Sequence, residues 1–161
     1  MRETGDIARY IGGLTEVLMD VLKNEDAVRL CINVWEAWEL FDDAYDDKLS
    51  KDEVYRLLEI TMVLIPNNIF YRTFRDKLQP IVELNIMNWH TSNNIEENSL
   101  NFNDKDHEKL FYHSYILRSF ITQLFSYCVR LLHGDKYCYD NSARLQLLFN
   151  NTFEEYKRKV T

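Results

Sequence analysis

Carboxylates crowd the end of one apolar-patterned stretch. In WEAWELFDDAYDD, Glu36, Glu39, Asp43 and Asp46 follow one another at steps of 3, 4 and 3. That spacing puts them on one face of a helix. Asp42 and Asp46 are also four apart. Like charges at this spacing repel, and the negative end of the helix dipole adds to the cost. A hard divalent cation with a preference for oxygen ligands would relieve the repulsion. The plain alternative is a solvated acidic face leading into a loop.

A second row of oxygen donors lies further on, in VELNIMNWHTSNNIEE. Asn88, Ser92 and Glu96 step by four, and Asn85 extends the stripe. Ser and Asn are mediocre helix formers, so the row is either an outward polar face or a second ligand set facing the first. Four further residues are candidates for an anionic ligand: Arg72 and Arg75 ahead of Pro80, and His113 and Arg118 in a later apolar stretch. The plain alternative for each arginine is a surface or ion-paired side chain. His90 alternates off the polar stripe and reads as a packed or exposed side chain.

The elements that must carry these residues read as helices throughout. Apolar spacing predicts helices over about 6–23, from Ile7, Tyr10 and Ile11 to Val21, and over 25–45, with Asn24 between them. A third covers 51–65, with Ser50 and Glu53 as a capping box and Pro66 with two asparagines as its stop. A fourth runs over 68–97 with a kink or restart at Pro80. Residues 98–106 read as a loop. The fifth covers 107–132, apolar nearly all round and capped by Gly134, which suits either the centre of a bundle or a homodimer interface. The sixth covers 141–158, with Lys157, Arg158 and Lys159 at its end. The expected fold is an all-α, single-domain bundle of about six helices.

Composition narrows the function classes. The chain has 161 residues, with Gly 4 and Pro 2, too few for a turn-rich sandwich or barrel. Its formal charge of -7 argues against a nucleic-acid binder. No apolar run reaches the roughly 20 residues of a membrane span. The start lacks a secretory pattern, so the expected compartment is the reducing cytoplasm. Cys31, Cys128 and Cys138 form no CxxC pair; Cys31 and Cys128 read as small core residues. Trp35, Trp38 and Phe41 read as core rather than a cofactor box. There is no GxSxG, P-loop, GxGxxG or HExxH.

Four resemblances attach to these residues. The run Asp42-Asp43-Ala44-Tyr45-Asp46 resembles the DDxxD motif of class I terpenoid synthases, and Asn88, Ser92 and Glu96 resemble that family's second motif by type and offset. Trp89 stands where that motif usually has aspartate. The resemblance implies a terpenoid-synthase-like all-α fold and magnesium held by two facing sets. Asp42, Asp43 and Asp46 would be the first set, and Asn88, Ser92 and Glu96 the second. The ligand would be diphosphate-bearing and its departure metal-assisted. The stretch from Phe41 to Val54 resembles a degenerate EF-hand loop, which implies calcium on Asp42, Asp46, the Lys48 carbonyl, Ser50 and Glu53. It lacks a ligand at Ala44 and the turn glycine at Asp47. Glu36-Ala-Trp-Glu39 resembles half of the ExxE…ExxD motif of all-α nucleotide pyrophosphatases, without its second half. Finally, LIPNNIFYRTFRDKLQPI followed by HSYILRSF resembles small all-α proteins of tailed phages, which implies host cytoplasm as the location. With that resemblance goes a competing expectation of a non-enzymatic protein whose exposed aromatics dock a host or virion partner.

Overall fold

Asn24 separates the first two helices and starts the second. Its backbone is extended, and its side chain accepts a hydrogen bond from the Ala27 amide at 2.9 Å, the usual N-cap arrangement. Lys23 before it takes φ 51 to reverse the chain. α1 (Thr4–Leu22) and α2 (Glu25–Tyr45) therefore form a tight hairpin. Leu14, Leu18, Val21 and Leu22 bury against Ala27, Val28, Leu30, Cys31, Val34 and Trp35. Each large aliphatic side chain so buried contributes about 1.5–3 kcal/mol. The computed structural model describes the backbone of residues 4–98, 104–148 and 152–160, and the side chains of 12–98, 106–148 and 152–157. The expected contributions of Ile7, Tyr10, Ile11, Arg158 and Lys159, and the centre of the 98–106 loop, lie outside what is described.

α3 (Lys51–Glu59) opens on the expected capping box. Ser50 Oγ accepts from the Glu53 amide, and the Glu53 carboxylate accepts from the Ser50 amide. The helix then widens into a π turn, Ile60–Leu64, before the short α4 (Ile65–Asn67). Pro66 explains the widening. It has no N–H to donate, and its ring crowds the carbonyl four residues back, which a wider turn moves aside. Asn68 caps α5 (Ile69–Glu97) by accepting from the Tyr71 amide, and its side-chain amide donates to the Asp26 carbonyl. The kink expected at Pro80 falls instead at Phe74 (φ -114, ψ 15), so the helix yields upstream of the proline.

The single helix expected over 107–132 is two, α6 (Asp104–Arg118) and α7 (Ile121–His133). Ser119 and Thr122 turn their hydroxyls onto the carbonyls of Ile116 and Ser119, which competes with the helical ladder and breaks it there. The break seats Phe120 in the core edge-on to Trp38, ring centroids 4.8 Å apart. Gly134, at φ 82, caps α7 as expected and starts α8 (Asp135–Gln146), earlier than the expected start at 141. α9 (Phe153–Val160) packs on α6, with Phe153 stacked on Tyr112.

The result is an all-α bundle with no strand among the described residues. One core joins α1, α2, α5, α7 and α8. A smaller cluster of Ala37, Leu40 and Ile60 seats α3 and the π turn on the outside of α2. None of the helices described is long and apolar enough to cross a membrane.

Candidate functional site

Two of the carboxylates singled out above do meet. α2 brings Asp42, and α5 brings Trp89, Ser92, Asn93 and Glu96 on one helical face. α6 brings Ser114 and Arg118, four residues apart, and α9 brings Tyr156. At their centre is the Arg118 guanidinium. Its Nε and Nη2 donate to the two oxygens of Glu96, each at 2.8 Å. Nη1 donates to Asp42 Oδ1 at 2.7 Å, and Nη2 also to Asn93 Oδ1 at 2.7 Å. Bidentate pairing of this kind is the strong form of the arginine–carboxylate bond.

Hydroxyls complete the shell around Glu96. Ser92 Oγ lies 3.1 Å and Ser114 Oγ 3.2 Å from Glu96 Oε1, and Tyr156 donates its hydroxyl to the same oxygen. Ser92 and Ser114 are fully buried and lie 3.0 Å apart. Trp89 Nε1 donates to Asp42 at 3.3 Å. Burial alone would push the Arg118 pKa down. The hydrogen bonds and charge of Glu96, then those of Asp42, outweigh it, so the guanidinium stays charged. Burial, then the Glu96 carboxylate, raises the Tyr156 phenol and keeps it protonated.

The arrangement does not fit a divalent ion. A permanent cation already sits between Asp42 and Glu96, and a metal there would have to displace a guanidinium held by four hydrogen bonds. Among the described residues no three His, Cys, Asp or Glu side chains are grouped to hold a metal. Of the expected ligands, Ser92 is in the network, Asp43 is exposed, Asn88 is half-buried, and Asp46 pairs with Lys48. Asn85 is buried with neither amide atom bonded to protein. Arg72 and Arg75 are exposed; Arg75 lies about 32 Å along α5 from Glu96, at 1.5 Å per residue, and Arg72 beyond the kink at Phe74. The structure therefore brings Arg118 to the acidic residues and leaves the other two arginines far away. The expected calcium loop is still helical through Tyr45, and its Glu53 caps α3. Glu36 pairs bidentately with Arg56 at 2.7 and 2.8 Å.

Sequence reasoning missed Asn93, Ser114 and Tyr156. The available signal for Ser114 was its position four residues before Arg118, on the same face of α6. Cys31, Cys128 and Cys138 are buried free thiols, and burial pushes Cys31 well up.

A different kind of surface lies on α3 and the π turn. α3 has no buried residue along its whole length. Leu57 and Ile60 face α2, whereas Tyr55 is 71% exposed, Met62 72%, and Leu58 and Val54 are also exposed. Tyr55, Leu58 and Met62 recur at helical spacing, as one stripe. Val63, the residue after Met62, lines an open cleft of about 290 Å³ together with Asp26, Arg29, Asn33, Asn67 and Ile69 among others.

Compared with family models, with characterised proteins and with solved structures, the chain matches none.

Proposed function

We propose that this chain is a non-enzymatic interaction protein whose partner docks on the outward face of α3 and the π turn. One observation carries the reading. No residue of α3 is fully buried, Leu57 alone of its apolar residues being half-buried against α2, and α3 with the π turn leaves Val54, Tyr55, Leu58 and Met62 exposed to solvent. A contiguous apolar stripe of this kind marks an interaction site more often than single scattered apolar residues do. The polar cluster adds support by its closure. Its strongest groups are spent on one another, and Arg118 is not free to grip an anion.

The test pairs the surface with the rival reading. The neutral dye Nile red should bind the folded chain and lose its emission in the variant Leu58→Glu/Met62→Glu. Magnesium, manganese and pyrophosphate should leave the melting temperature unchanged. A shift with magnesium that grows with pyrophosphate and disappears in Asp43→Ala would overturn the proposal in favour of a diphosphate-bearing ligand held through metal. A calcium-selective shift lost in Glu53→Ala would overturn it in favour of a calcium loop.

A further inference from the structure

Charge around the α3 stripe says what kind of partner fits it. From Asp42 to Glu59 the chain carries seven acids (Asp42, Asp43, Asp46, Asp47, Asp52, Glu53, Glu59) and three bases (Lys48, Lys51, Arg56), a net of -4 within the total of -7. Part of this charge is already paired. Lys48 is on Asp46, Arg56 is on Glu59 and on Glu36 outside the region, and Asp42 is held by Arg118. Asp43, Asp47 and Asp52 stand exposed where α2 hands over to α3. The stripe is thus apolar along its length and acidic at its N-terminal rim.

A second copy of this chain packed parallel would set two such rims against each other, which like-charge repulsion opposes. Packed antiparallel, it would bring to the rim only the far end of the stripe, where Arg29 is already paired with Asp26 and offers no surplus positive charge. A partner with the opposite charge gains from the same rim. The shape of the surface favours a helix. Asp52 to Val63 spans about 16 Å at 1.5 Å per residue, the length of about three helical turns. A helix packs along another by setting its side-chain ridges into the grooves between i and i+4 rows. Val63, next to Met62 in the chain, borders with Ile69 the open cleft, which has room for one apolar side chain from the end of such a helix.

We infer that the outward face of α3 and the π turn docks a basic amphipathic helix of a partner protein. Its apolar stripe covers Tyr55, Leu58 and Met62, and its lysines or arginines lie over Asp43, Asp47 and Asp52. This inference rests on the interaction reading above and adds the chemistry of the partner.

The full chain is titrated with two synthetic helical peptides of three to four turns, identical in their leucine stripe. One carries lysine and the other glutamate at every polar position. Affinity is read by fluorescence anisotropy and the contact surface by amide NMR shifts. The lysine peptide should bind with shifts centred on α3 and the cleft. It should weaken about tenfold between ~0.05 and ~0.5 M salt, since these charges are exposed to screening. Leu58→Glu/Met62→Glu should cost at least about tenfold, or about 1.4 kcal/mol. Asp43→Asn/Asp47→Asn/Asp52→Asn should weaken the lysine peptide and remove its salt dependence. Equal binding of the glutamate peptide at α3 would overturn the basic partner while leaving an apolar docking face. Shifts centred elsewhere, as on the exposed Leu84, Ile86 and Met87 of α5, would overturn the site itself. Binding of neither peptide, with self-association that Met62→Glu abolishes, would make a second copy the occupant and overturn the inference. Binding of neither, with a monomeric chain that also leaves Nile red dark, would overturn both the inference and the interaction reading.

Discussion

The Arg118 network and the α3 face are inversions of each other. In the first, charged and hydroxyl groups are drawn inward from α2, α5, α6 and α9, and nearly every polar atom finds a protein partner. In the second, apolar side chains are turned outward along α3 and the π turn, where Val54, Tyr55, Leu58 and Met62 are exposed to water. A buried ionic group is expensive to leave unpaired, so a network that survives in a fold has closed on itself. An exposed apolar stripe has no such internal remedy, and only another molecule can cover it. On the interaction reading proposed above, the conspicuous charged cluster serves the fold and the docking face is the plain helix.

Breaking the network should have the largest effect. Arg118→Met leaves Glu96, only 16% exposed in its side chain, without its main partner. It should cost about 3 kcal/mol by urea unfolding. The double variant with Glu96→Met should recover about 1–2 kcal/mol of that, because the two residues act as a unit. If both cost nothing, the closed network is not what holds α5 to α6. On the α3 side the inward face supplies the control. Ile60, fully buried, should lose about 2–3 kcal/mol as Ile60→Ala, whereas its outward neighbour in Met62→Glu should change stability by no more than about 0.5 kcal/mol. A large loss in Met62→Glu would mean that the stripe is covered within the chain itself.

Tyr156→Phe removes one buried hydroxyl donor and should cost about 1 kcal/mol. Its pH dependence sharpens the point. The Tyr156 pKa is raised in the folded chain above its ordinary 10.0. Its contribution is therefore complete below pH 10 and lost as pH rises beyond it, where the unfolded chain releases the proton first. The denaturation midpoints of wild type and Tyr156→Phe should converge above pH 10. The smallest effect belongs to Glu53, whose pKa is lowered from 4.5 by the Ser50 hydroxyl and amide. The cap contributes above 4.5 and fades as pH falls through the lowered value. The helical signal of wild type and Glu53→Gln should thus become indistinguishable in acid.

What could be read from the sequence was local or confined to one helix face. Ser50 with Glu53 and Gly134 act within four residues of themselves, so their types disclosed their roles, and Asn24 was legible as a break though not as the cap of α2. Of the two oxygen-bearing rows expected to face each other, Asp42 meets Ser92 and Glu96 around Arg118, whereas Asp43, Asp46 and Asn88 do not join them. What sits between them could not be seen, since Arg118 comes from a helix 76 residues beyond Asp42 and reaches the centre only through the packing of α6 on α5. Tyr156 arrives from still further along the chain. The break at Ser119 and the displacement of the kink from Pro80 to Phe74 depend on how Phe120 and Phe70 seat in a shared core, which periodicity does not encode. On α3 the cap and the stop were legible, but not which apolar residues α2 would cover.

The π turn at Ile60–Leu64 gives the molecule slack in one place. It houses one residue more than an ordinary helical turn would use. Excising one of its outward residues would let the segment tighten into a regular helix, with the flanking segments turned against each other far less than the roughly 100° that the same deletion imposes inside an ordinary helix. Tyr55 and Leu58 would then stay near their present phase to Val63 and Ile69. The surplus residue is thus a loose coil in the spring, and a deletion there should be borne better than one inside α3.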